Sequence, residues 1–414
     1  MTGSGAEVIS LGCRLNIAES ERISAMLGDE PDIVVINSCA VTAEAVRHTR
    51  QAIRKARKER PDARLLVTGC AADIERDQIA AMHEVDGLVP NAQKLKPARY
   101  QVSTDTGWDL PRISSVDVEV MPRSAPGRTA PGEHTRAFVA VQNGCDHACT
   151  FCVIPQGRGP SRSLSVDEVL REVEAHLLQG APEVVLTGVD VTSWGTDLPG
   201  NLSLGQLAGQ VLATFPELKR LRMSSLDGVE VDEHLFDLFA NEARMMPHIH
   251  LSLQHGADLI LKRMKRRHSR ADAMELVARL KQVRPEIAVG ADIIAGFPTE
   301  DDAHHADNLA IIREMPVVHG HIFPYSPRPG TPAALMPQHS KALVRDRARQ
   351  LRETVSQTRE AWLGSLIGTP LTVLAESDGT GYAENFARVE VPEGTRPGQI
   401  VSVTPTALEE GLLR

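Results

Sequence analysis

The chain has 414 residues, 42% of them hydrophobic, 24% charged and only 3% aromatic, with a formal net charge of −9. This size predicts two or three domains. The acidic balance excludes a general nucleic-acid coat but allows local basic faces. No apolar run approaches the roughly 18 residues of a bilayer span, and the first residues lack the pattern of a signal peptide. A cytoplasmic protein is the expectation.

The first hundred residues alternate strand and helix signals. Strands are predicted at 7–11, 32–36 and 64–68, with helices over 16–27, over 43–60 and from about 73. That order implies a parallel sheet with helices on its faces. Residues 101–134 are rich in Pro, Ser and Gly and read as a linker with one strand at 116–120. From Arg136 the alternation resumes, with strands predicted at 137–142, 183–187, 220–224, 248–253, 289–294 and 320–324, and helices between them, such as 166–179 and 270–283. About six βα units suggest a partial (β/α)6 barrel, since a closed eight-fold barrel needs about 250 residues. One long charged helix follows at 339–365. Short β-like runs at 371–375, 387–391 and 400–403 then predict a small C-terminal β-barrel. The expected fold is α/β with domains at 1–100, 135–366 and 367–414.

Six cysteines fall into two trios. Cys145, Cys149 and Cys152 have the spacing C-x3-C-x2-C and sit on a loop after a predicted strand, at the active-site end of a βα barrel. Three thiolates so close together call for a soft multivalent cation. They are one short of the four that hold an ordinary [4Fe–4S] cluster, leaving one iron open to a ligand. A structural zinc site completed by His147 is the alternative, and would make the chain a zinc-stabilised RNA-binding protein without catalysis. Cys13, Cys39 and Cys70 are distant in sequence, but each follows one of the first three strands. In a parallel sheet those three ends share one edge, so the thiols can converge on a second metal site; three buried free thiols are the alternative.

The stretch from Gln142 through Cys145-Asp-His-Ala-Cys-Thr-Phe-Cys152 to Ser163 resembles the signature of the radical S-adenosylmethionine (SAM) methylthiotransferases. Leu11-Gly-Cys-Arg-Leu-Asn16, Asn37-Ser-Cys-Ala-Val-Thr42 and Thr68-Gly-Cys-Ala71 resemble that family's N-terminal domain. The resemblance implies two [4Fe–4S] clusters. One, on Cys145, Cys149 and Cys152, chelates and cleaves SAM to a 5′-deoxyadenosyl radical. The other, on Cys13, Cys39 and Cys70, carries the sulfur to be donated. It also implies SAM contacts at the strand ends: Gly188 and Asp190, Ser224, Gln254 and Ile294, with Phe151 against adenine. His255 departs from the family pattern, and as a lone histidine reads as structural. The C-terminal region, with Tyr382, Asn385, Phe386, Arg388 and Val389, resembles the family's TRAM module. An electron donor such as flavodoxin or ferredoxin is also implied.

Two segments are locally basic. Residues 47–64 carry eight Lys/Arg against two acidic residues, and 261–270 carry six with none. They are candidate tRNA-binding faces or solvated helix faces. Arg158, Arg162, Lys262 and Arg266 are the candidate substrate contacts. The compact run Arg158-Gly-Pro-Ser-Arg162 and the opening Gly-Cys-Arg-Leu-Asn look most like the subgroup that modifies carbon 2 of threonylcarbamoyladenosine at position 37 of tRNA. The family also contains enzymes for isopentenyladenosine 37 and for a ribosomal-protein aspartate.

Overall fold

The computed structural model describes residues 6–28, 32–100 and 135–414. The predicted strand at 116–120 lies outside the described residues.

The N-terminal sheet has four parallel strands in chain order: Glu7–Ser10, Ile33–Ser38, Arg64–Gly69 and Gly87–Leu88. Its second strand is buried throughout, as a β-branched run covered on both faces must be. The basic helix Ala43–Glu59 starts where Thr42 accepts the Ala45 N–H at 3.1 Å and buries Val46, Thr49, Ile53 and Ala56 on one stripe. The single helix expected from residue 73 is instead two short ones, Cys70–Ile74 and Arg76–Ala80, hinged at Glu75. Glu75 leaves helical geometry while its carboxylate pairs with Arg328 at 2.8 Å, a contact that sequence periodicity does not carry.

The central region has two parallel sheets that follow one another in barrel order: Ala137–Ala140, Glu183–Thr187 and Arg220–Met223, then Ser225–Leu226, His248–Gln254, Ala288–Ala295 and Val317–Pro324. Arg220–Met223 runs on through Ser224 into Ser225–Leu226, so six strand positions result. The predicted strand 137–142 breaks at Val141; Gln142–Asn143 turns away to pair antiparallel with Arg162–Ser163. Capping boxes start the helices at Ser165, Ser203 and Ser269, where each hydroxyl accepts an amide and the residue three on reaches back. The helix Arg14–Leu27 packs Leu15 and Ala18 against Phe138, Ala140 and Val185, so the N-terminal unit covers the flank of the open barrel. His255 is fully buried: its Nδ1 accepts the Ala257 N–H at 2.9 Å and its Nε2 meets Glu300 at 3.1 Å, beside Arg347 of the long helix Lys341–Ser365. It joins a strand end to that helix, as a structural histidine does.

The C-terminal sheet runs Ile400–Val403, Leu371–Ala375, Thr380–Ala383, Arg388–Glu390, Leu412–Leu413, Leu408–Glu409, around Leu371, Val373, Ala383, Val389 and Leu413. Its Phe386 plugs the barrel. It stacks on His248 (4.9 Å) and Tyr382 (4.8 Å) and lies 4.9 Å from the Arg222 guanidinium. Arg222 donates to the Glu384 carbonyl at 2.8 Å and Arg220 to the Thr372 carbonyl at 2.7 Å, fastening sheet to barrel.

This polar plug makes the barrel acid-sensitive. Burial, then cationic neighbours, holds His248 well below the usual histidine range and pushes His319 down to about 3. Both stay neutral in the fold but protonate in the unfolded chain below pH ~6.5, so stability falls as pH drops through that value, by on the order of 1 kcal/mol per pH unit per buried histidine. The melting temperature is therefore expected to drop from pH 7 to pH 5, and His319→Gln is expected to shrink that drop. Equal drops in parent and variant would refute this assignment.

Candidate active site

The cysteine loop, residues 144–161, is pinched shut at its base. Asn143 pairs with Arg162, and the Cys145 N–H donates to the Gly159 carbonyl at 3.1 Å. Gly144 has φ +76°, and a Cβ there would lie 1.9 Å from the Pro160 carbonyl oxygen, so only glycine fits this crossing. At the loop's far side the Thr150 N–H donates to the Met264 carbonyl (3.1 Å) and its hydroxyl to the Arg263 carbonyl (2.9 Å). Phe151 packs edge-on to Phe297 at 6.5 Å, in the same apolar cluster as Ile294.

Each sulfur of this trio receives a donor: Cys145 the His147 N–H (3.4 Å), Cys152 the Ile154 N–H (3.4 Å), Cys149 the Arg266 Nη1 (3.6 Å). N–H···S contacts of this kind stabilise and tune iron–sulfur clusters. Burial pushes the Cys145 and Cys152 thiols up to about 12, so a cation is what would hold them as thiolates.

The second strand's turn is held by Gln142. Its Oε1 accepts the Val189 and Asp190 N–H groups (3.0 and 2.9 Å), while its Nε2 donates to the Gly144 carbonyl and to Ser161 (both 2.8 Å). Gly188 makes room for it, because a Cβ there would lie 2.8 Å from Gln142 Oε1. Sequence reasoning gave Gln142 no role; its signal was a polar residue in an otherwise buried strand end. The Asp190 carboxylate, expected against SAM, pairs with His147 Nε2 at 2.8 Å, and this hydrogen bond raises the His147 pKa. Along the rim, Ser224 Oγ and Arg266 Nε are buried without a hydrogen-bond partner, and Asp227 Oδ1 has His268 Nδ1 at 3.6 Å. Gln254 holds a non-glycine φ of +70°. Orphaned polar atoms and local strain at a barrel mouth fit a polar ligand such as SAM.

The N-terminal trio lies at three adjacent strand ends, joined by two polar staples. Asn16 Nδ2 donates to the carbonyls of Leu11 (2.5 Å) and Ser38 (3.1 Å), linking the Cys13 and Cys39 turns. Ser38 donates to the Thr68 carbonyl at 2.5 Å and accepts the Ala71 N–H at 3.2 Å, linking the Cys39 and Cys70 turns. Burial and then the fields of Cys70 and Cys13 push the Cys39 thiol up to about 11.

The two trios face each other. Gly157 of the cysteine loop packs on the Cys70 turn, where a Cβ on it would lie 3.5 Å from Cys70 Cα, and Asn91 Nδ2 donates to the Gly157 carbonyl at 2.6 Å. Arg158, expected to contact a tRNA phosphate or the modification's carboxylate, is instead buried between the loops. It bonds Glu19 (2.9 Å), Asn16 (2.6 Å) and Asn143 (2.8 Å). Lys94 reaches the same Glu19 at 2.5 Å. Burial would raise the Glu19 carboxyl, but these two cations outweigh it and hold it near 2. Arg266 is likewise turned inward, at 2.8 Å from Asp227, and short of a surface role. Arg162 is half-buried in the ribbon, while Lys262 is exposed.

A partial six-stranded barrel with a three-cysteine loop at its mouth defines a radical SAM enzyme, and residues 139–310 match the model of the radical SAM superfamily. Residues 6–90 match the uncharacterized protein family UPF0004. A threonylcarbamoyladenosine tRNA methylthiotransferase of Rickettsia prowazekii is 42% identical over 99% of this chain and 96% of its own length. One from Aquifex aeolicus is 31% identical over 95% and 98%. A tRNA-2-methylthio-N(6)-dimethylallyladenosine synthase of Cereibacter sphaeroides is 32% identical over 96% and 94%. Among solved structures, a radical SAM methyltransferase of Kitasatospora setae with cobalamin and a [4Fe–4S] cluster bound covers 80% of this chain and 77% of its own at TM-score 0.54 and 14% identity, a likeness of fold alone. The chain belongs to the radical-SAM methylthiotransferase family, which brings with it SAM and a [4Fe–4S] cluster. The zinc-stabilised, non-catalytic reading is thereby overturned.

Gln142→Ala should leave the Val189 and Asp190 N–H groups without their acceptor and the Gly144 carbonyl without this donor, costing about 3 kcal/mol. The expected outcome is a lower melting temperature and weaker SAM retention in equilibrium dialysis. An unchanged melting temperature would contradict the role given to Gln142.

Proposed function

We propose that this chain inserts a methylthio group at carbon 2 of threonylcarbamoyladenosine at position 37 of tRNA. The observation that carries the reading is the facing of two cysteine trios across a buried seam. A radical centre alone needs one trio; C–H to C–S–CH3 conversion needs a sulfur source beside it. Cys145, Cys149 and Cys152 would hold the SAM cluster, and Cys13, Cys39 and Cys70 a second [4Fe–4S] cluster. Together with SAM these groups supply the radical and the sulfur.

The chain's own residues then have distinct tasks. Phe151 and Ile294 form the apolar wall, Gly188 and Asp190 with Gln142 shape the turn beside the loop, and Ser224 and Gln254 offer polar atoms at the rim for SAM. Arg158 and Arg266 hold the cysteine loop rather than meet tRNA. Lys262, with exposed Lys265, and Arg162 at the loop's base remain as phosphate contacts. Electrons would come from a flavodoxin or ferredoxin, in the cytoplasm where tRNA is modified. The threonylcarbamoyl substrate is favoured because the relative so named shares 42% identity, against 32% for the dimethylallyl enzyme.

Two measurements test this. Anaerobically purified protein should hold about eight iron atoms, two cubanes' worth, falling to about four when Cys145, Cys149 and Cys152 are all replaced by Ala. A wild type with only four, and a variant with none, would remove the sulfur-donating site. In-vitro methylthiolation should favour tRNA bearing threonylcarbamoyladenosine; product on isopentenyl tRNA alone, or on a ribosomal protein, would assign the chain to another branch.

A further inference from the structure

Arg14 is a cation without a counter-ion inside the barrel. It opens the helix that follows Cys13, is only partly buried, and places its guanidinium 5.8 Å from the centre of the Phe386 ring. The carboxylates whose fields reach it are Glu183 and Asp292. Both are already matched. Glu183 pairs with Arg222 at 2.8 Å and Arg220 at 3.7 Å. One oxygen of Asp292 meets His250 at 3.1 Å and His321 at 3.0 Å. Arg136, which lies over both the Tyr382 and Phe386 rings, pairs with Glu376 at 3.0 Å. Among the described residues Arg14 makes no hydrogen bond or ion pair.

A guanidinium drawn into a barrel without a partner is costly unless a ligand matches it, and its planar fork is shaped for a carboxylate. We propose that Arg14 receives the carboxylate of the threonylcarbamoyl group and so selects that nucleoside over the isopentenyl one, whose substituent is an uncharged hydrocarbon. This rests on the function proposed above. The position suits the chemistry: Arg14 directly follows a proposed ligand of the sulfur-bearing cluster, so a base anchored through its N6 substituent stays within an arginine's reach of that ligand. The stacked rings of His248, Phe386 and Tyr382 line the same space. A backbone phosphate would be the other anion tRNA could offer.

The test uses holoenzyme with both clusters, as wild type, Arg14→Gln and Arg14→Lys. The substrates are tRNA carrying the threonylcarbamoyl group, its methyl ester, or the isopentenyl group. On the acid, Arg14→Gln should lower kcat/KM by about thirty-fold or more, and Arg14→Lys should recover part of it. The ester should cost the wild type a similar factor and cost Arg14→Gln almost nothing. Iron content and filter-binding affinity for tRNA should stay unchanged. Equal losses on acid and ester, a weaker grip on every tRNA (the phosphate outcome), or a fall in iron would each overturn the proposal. A wild type active only on isopentenyl tRNA would instead fell the function on which it rests.

Discussion

Everything in this protein's chemistry hangs on one buried ion pair that crosses a domain seam. Arg158 leaves the cysteine loop of the barrel and meets Glu19 on the first helix of the N-terminal sheet, both about 97% removed from solvent. Breaking a buried pair on one side strands the other charge, which costs about 3–5 kcal/mol. Asn16 and Asn143 complete the guanidinium's bonds from the two sides. Domain interfaces within a chain move by default unless something large or specific fixes them. Here the specificity comes from polar geometry: Arg158, together with the Asn91 amide on the Gly157 carbonyl, ties the loops that carry the two cysteine trios.

The same pair sets the local field. Glu19 carries one negative charge and is shared by two cations, Arg158 and Lys94, leaving an excess of one positive charge where Cys13 and Cys70 lie. Three thiolates at adjacent strand ends repel one another, and the surplus cation offsets part of that cost. A buried network of this kind is a poor device for stability alone, since apolar residues of similar volume do as well. Its presence beside both trios is better explained by placement and charge compensation.

The fold was readable because its periodicities are regular. The strands expected at 183–187 and 248–253 and the helices expected at 166–179 and 270–283 match Glu183–Thr187, His248–Gln254, Val166–Leu178 and Arg270–Val283 almost to the residue. Both cysteine trios were legible for different reasons, one by close spacing and the other by equivalent positions after three strands. What the sequence concealed was direction. Arg158 and Arg266 sit in a basic stretch or beside a signature loop and read as surface contacts, yet both turn inward to carboxylates 139 and 39 residues away. Charge pattern reports what a segment carries, and long-range packing decides which way it points. Gln142, Asn16 and Ser38 escaped notice for a related reason: a buried polar side chain acquires meaning only when its partners, up to 48 residues away, are known.

An acidic protein with few aromatics also has to grip RNA and present one base to a radical. Two of its scarce rings, Tyr382 and Phe386 of the C-terminal sheet, stack in the barrel beside His248. The sheet's fastening by Arg220 and Arg222 then does two things at once. It neutralises Glu183, which would otherwise sit unpaired in the barrel, and it fixes the Phe386 ring under Arg14. Because those arginines are consumed in holding the sheet, Arg14 is left with charge to spare. A barrel floor built from a separate domain thus gives the enzyme a surface on which substrate preference can vary while the cysteine loops and their seam stay as they are.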